Sequence, residues 1–119
     1  MSASEYRHSQ PAVLLEAVGG DRATFMLLLD IFKRDTTDKL AKMRLALAQG
    51  DRAQLAFNVH AMKGTVGPTG ADALMRQLVD LEAACREPHG TCDEQTLADI
   101  ERQTLEIAGE QERFAANLV

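Results

Sequence analysis

Apolar residues recur along this chain at three- and four-residue intervals, and no stretch alternates with the period of two that a half-buried strand requires. Phe25, Leu29, Phe32, Thr36, Leu40, Met43 and Leu47 hold one stripe and predict a single long helix over about 21–49, with Asp21 as its N-cap and Gly50 ending it. Asp35-Thr36-Thr37-Asp38 is a weak helix former that could bend this helix, but it contains no Gly or Pro to break it. Leu55, Val59, Met62 and Val66 form a second stripe, opened by a capping-box pattern at Asp51 and Gln54 and closed by Gly67-Pro68-Thr69-Gly70. Leu74, Leu78, Leu81 and Cys85 make a third stripe, which stops at Pro88-His89-Gly90. Leu97, Ile100, Thr104, Ile107, Gln111, Phe114 and Leu118 make the fourth, capped by Thr91 or Asp93.

Ahead of these, Pro11 opens a short amphipathic segment with Val13, Leu14, Leu15 and Val18, ending at Gly19-Gly20. Long helices with short connections predict an all-α fold, an antiparallel up-down four-helix bundle with a short N-terminal lid helix. Residues 1–10 are polar and are expected to be a flexible tail, leaving 11–119 as one domain.

The second of the long helices carries the candidate chemistry. At about 100° per residue, His60 points roughly 130° from the centre of the Leu55–Val66 stripe and should face water. Lys63 lies three residues on, within reach of the imidazole. The rest of that face is Ala53, Ala56, Gly64 and Gly67, all small. A glycine inside a helix costs about 0.5–1 kcal/mol relative to alanine, so a helix that accepts it beside an exposed imidazole leaves room for something to approach. A neutral imidazole is a usable nucleophile near neutral pH. A phosphoryl group on it would be offset by Lys63, a Coulomb term of about 1 kcal/mol at 4 Å in water and about 4 kcal/mol at an effective dielectric near 20. The spacing alone is equally compatible with a solvated histidine beside an unrelated lysine.

His60-x-x-Lys63-Gly64, followed by Gly70, Leu74 and Leu81-Glu82, resembles the signature of histidine-containing phosphotransfer (HPt) domains. The similarity runs from about Val13 to Glu87, and the helix layout extends it to the C-terminus. Met62 stands where Leu or Ile is more usual, a volume-conserving exchange, and Pro68 implies an earlier end to the His60 helix.

The resemblance implies a four-helix bundle that shuttles phosphoryl groups between aspartates of response-regulator receiver domains, with no ATP binding and no kinase activity of its own. It also implies that Glu82, 22 residues after His60, hydrogen-bonds the ring nitrogen that is not phosphorylated. Spacing does not decide whether Glu82 reaches His60 or faces solvent. Expected partners are receiver domains or a hybrid sensor histidine kinase, with Mg²⁺ carried by the receiver and no cofactor on this chain. Partner contacts are expected at Ala56 and Gly67, with Lys39 and Lys42 as a positive rim and Arg34 further out. A solvated helix face is the plainer reading of those three charges.

Composition narrows the alternatives. A net charge of −5 argues against a nucleic-acid partner, and no apolar run is long enough for a membrane span or signal segment, so a cytoplasmic protein is expected; no marked apolar excess demands a dimer, and a monomer is expected. With no Trp and one Tyr against abundant Leu, Ala and Met, the core suits packed helices. Cys85-x-x-x-His89-x-x-Cys92 holds three possible zinc ligands, but structural zinc takes four, and Cys85 already completes a stripe. His8 and His89 lack the lysine and the small-residue face, and read as surface histidines. Two other functions fit the same pattern: the phosphoacceptor module of a chemotaxis-type kinase, and a helical interaction module that never carries phosphate. A histidine-kinase dimerisation domain is disfavoured by the absence of its His-Glu start and following Thr-Pro.

Overall fold

The computed structural model describes residues 6–88 and 90–118. They form five helices, α1 (Pro11–Ala17), α2 (Arg22–Gln49), α3 (Arg52–Val66), α4 (Asp72–Arg86) and α5 (Glu94–Ala116), with a 3₁₀ turn at Gly67–Thr69 and no strand among the described residues. The helix boundaries follow the caps. Asp21, Asp51 and Asp93 each accept a hydrogen bond from a backbone N–H of the first turn of their helix. The box at α3 is one-sided: Gln54 N–H bonds the Asp51 carboxylate at 3.0 Å, while Asp51 N–H turns back to Ala46 O at 2.9 Å. Gly50 (φ 66°) and Gly70 (φ 71°) take the left-handed conformation at the two tight turns that flank α3.

α2 is one uninterrupted helix of 28 residues. The threonines expected to bend it satisfy their hydroxyls within it, Thr36 on Phe32 O and Thr37 on Lys33 O, each at 2.8 Å. α3 lies against both α2 and α4, and α5 packs mainly on α2. Val59, Met62 and Val66 are completely buried with Met43, Leu78, Ile100 and Ile107. Burying each such side chain contributes about 1.5–3 kcal/mol, so the underside of α3 is firmly set. α2 and α5 outrun the two middle helices. A second cluster of Leu14, Phe25, Phe114 and Ala115 fills the end where α1 packs.

Residues 6–10, part of the expected flexible tail, lie against α5. Ser9 is buried and donates to Glu110 Oε1 at 2.7 Å, His8 N–H donates to Glu110 Oε2 at 2.9 Å, and Tyr6 meets Phe114 edge-on at 5.8 Å. The physical reason lies in α5. Glu110 sits outside the apolar stripe yet is buried, and it needs these donors in place of water. Residues 1–5 lie outside the described part.

Candidate functional site

His60 leaves the outer flank of α3 with its side chain 70% exposed, while Met62 beneath it is fully buried. The ring does not stand alone. Its Nδ1 lies 3.1 Å from Oε2 of Glu82, which reaches it from α4. Glu82 is itself buried, at 4% exposure, and a lone carboxylate in that position would be costly. Three groups surround it: Lys63 Nζ on Oε1 at 2.5 Å, and both Arg86 Nη2 (2.7 Å) and the His60 ring on Oε2.

These contacts bear on the charge of Glu82 and on the tautomer of a neutral His60. The hydrogen bond from Lys63, helped by its charge and by His60 and Arg86, holds the Glu82 carboxyl below the ordinary carboxylate range against the opposing pull of burial. Glu82 is therefore an acceptor only, and a neutral His60 must carry its proton on Nδ1. That leaves the Nε2 lone pair free, and among the described residues Nε2 has no hydrogen-bond partner. A nucleophilic nitrogen aimed at solvent, with its ring held from behind, is the arrangement's chemical content.

The structure thus brings His60, Lys63 and Glu82 together. The Lys63 ammonium spends its contact on Glu82 rather than on the imidazole face. Gly64 and Gly67 are exposed and Ala56 is half-buried. A Cβ built on Gly64 or Gly67 would meet nothing within 4 Å, so no internal packing demands a glycine at either position. The residues expected as a cationic rim are ion-paired on α2. Lys39 bonds Asp35 (3.1 Å) and Asp38 (3.3 Å), Lys42 bonds Asp38 (3.1 Å), and Arg34 pairs with Asp30. All of these partners lie on α2 itself. Asp35 also accepts from the Thr65 hydroxyl, which ties α2 to α3 beside Gly64.

Three further residues have no stripe or motif to mark them in the sequence. Arg86 was visible only as the i+4 neighbour of Glu82. Phe57, one turn before His60, is 67% exposed, and Leu45 on α2 is 58% exposed across a shallow groove shared with Lys42 and Gln54. Their signal was negative: two large apolar residues that fall outside every stripe.

Of the other candidates, His8 is not a free surface residue, since its ring bonds Glu106. His89 lies outside the described residues. Cys85 packs against the core and shares a small cavity with Cys92; burial pushes both thiols up, Cys92 to about 11. Among the described residues no three His, Cys, Asp or Glu side chains are grouped to hold a metal. Likewise, no helix there is long and apolar enough to cross a membrane.

No curated protein and no solved structure matches the chain. The family model for the Hpt domain matches residues 27–113, a span that takes in His60, Lys63, Glu82 and Arg86 and most of the bundle. The model covers well over half of the sequence, and the chain belongs to the Hpt-domain family, whose members carry out histidine phosphotransfer in two-component signalling.

Proposed function

We propose that this domain is a phosphorelay intermediate in which His60 takes a phosphoryl group from a receiver-domain aspartate and passes it to a second receiver. The observation that carries the reading is the ring itself, exposed at Nε2 and held at Nδ1 by an ionised Glu82. In the forward step the Nε2 lone pair attacks phosphorus, the acyl-phosphate P–O bond breaks, and its electrons return to the aspartate carboxylate. The Nδ1 proton stays between the ring and Glu82, which stabilises the positive charge that develops on the imidazole. Lys63 offsets the incoming phosphoryl charge, and the small surface at Ala56, Gly64 and Gly67 gives the receiver clearance. The Mg²⁺ that shields the transferring oxygens belongs to the receiver. Because every step reverses, direction is set by the partners.

The reading extends to the architecture: an antiparallel up-down four-helix bundle of α2 to α5, with α1 as its lid, in a cytoplasmic monomer. It is supported by the Asp35–Thr65 link, whose residues lie equally far on either side of Gly50, and by the pairs Lys33–Glu112 and Arg44–Glu101. Incubation with a labelled phospho-receiver should move label onto the wild-type domain as an acid-labile product. Equal labelling of His60→Gln would refute the assignment.

A further inference from the structure

Arg86 has no place in the function proposed above, yet it bonds the same carboxylate oxygen as His60. We propose that Arg86 is a second phosphoryl-holding cation of this site, resting on Glu82 Oε2 in the unloaded domain and turning one N–H onto a phosphoryl oxygen when His60 is loaded. This rests on the reading of His60 as the phosphorylated residue.

The geometry carries the argument. Arg86 Nη2 and His60 Nδ1 meet on one oxygen at 2.7 and 3.1 Å, so the guanidinium is no further from the ring than those two bonds laid end to end. Both side chains are 70% exposed, so the guanidinium and the imidazole are each open to water and to an arriving group. Lys63, by contrast, is only 23% exposed and is bound to the other oxygen. Of the two cations on Glu82, Arg86 is the one with room to move, and its planar fork offers several donors, so one can turn to a phosphoryl oxygen while another keeps Glu82.

Charge balance points the same way. Unloaded, Glu82, Lys63 and Arg86 sum to one positive charge; a phosphoryl dianion reverses that sign. Without Arg86 the loaded site would set the phosphoryl group and a buried carboxylate against Lys63 alone. An ordinary i, i+4 surface pair would have no such consequence, because its carboxylate would be hydrated rather than buried beneath a reactive ring.

The test uses phosphoramidate, a small donor that needs no receiver surface. Attack by Nε2 breaks the donor's P–N bond, and the leaving nitrogen departs as ammonia with a proton taken from water. Phospho-His60, localised by peptide mapping, is measured at its plateau under fixed phosphoramidate and ammonium concentrations. Arg86→Gln should lower the exchange equilibrium constant about two- to fivefold, and Arg86→Lys should recover part of the loss. Because Arg86 is exposed, both variants should fold. An unchanged or higher plateau in Arg86→Gln overturns the proposal and leaves the role of His60 standing. Absence of label from His60 in the wild type overturns both.

Discussion

Replacing Glu82 by Gln keeps the shape of the side chain and removes its charge, and the consequence can be worked from the contacts. The Lys63 bond is the strongest of the three, at 2.5 Å to a lysine that is mostly buried. A hydrogen bond to a charged group is worth about 1.5–3 kcal/mol, of which a neutral amide retains part. The His60 and Arg86 contacts are made by side chains open to water, and each adds at most about 1 kcal/mol. The expected loss is therefore about 1–2 kcal/mol at neutral pH, or several degrees in melting temperature for a domain of this size.

The pH dependence makes the reasoning stricter. The folded carboxyl lies below its ordinary value, so its stabilisation is fully present above the unfolded pKa and disappears as pH falls through the folded one. Urea unfolding at a series of pH values should give a gap between wild type and Glu82→Gln that is present at about pH 5 and narrows as pH falls below about 4.5. A double-mutant cycle with Lys63→Met should assign the largest share of that gap to the Lys63 contact. A gap that stays constant down to pH 3, or a cycle with no coupling, would show that Glu82 is not the ionised hub described here.

Two further substitutions separate folding from docking. Gly64→Ala places a methyl group in open space inside a helix, so it should stabilise the fold by about 0.5–1 kcal/mol in urea titrations while slowing transfer from a phospho-receiver; a destabilised variant would contradict the free space around Gly64. Phe57→Ala removes an exposed ring and should leave stability within about 0.5 kcal/mol, but it should raise the receiver concentration needed for half-maximal transfer. Unchanged transfer kinetics would show that Phe57 does not meet the receiver.

The apolar spacing of the sequence already determined the long helices, their caps and turns, the burial of Leu55, Val59, Met62 and Val66, and the outward direction of His60. These are local matters: a 3.6-residue period settles which side of a helix is wet, and Asp or Gly at an end settles where it stops. The charges on α2 are read only together with their neighbours: Lys39 and Lys42 pair with Asp35 and Asp38 one turn away on the same helix. Ser9 and His8 are a different case, since only the fold brings a buried Glu110 from α5 to accept their hydrogen bonds.

The decisive contact was likewise beyond the sequence. A separation of 22 residues is compatible with Glu82 facing water or facing His60, because the outcome depends on how α4 is rotated and how far it is shifted along α3. Core packing sets both, and once set it buries Glu82 within reach of His60, Lys63 and Arg86 together. Local periodicity can aim an imidazole outward, but only the docking of two helices can hand its inner nitrogen to a carboxylate.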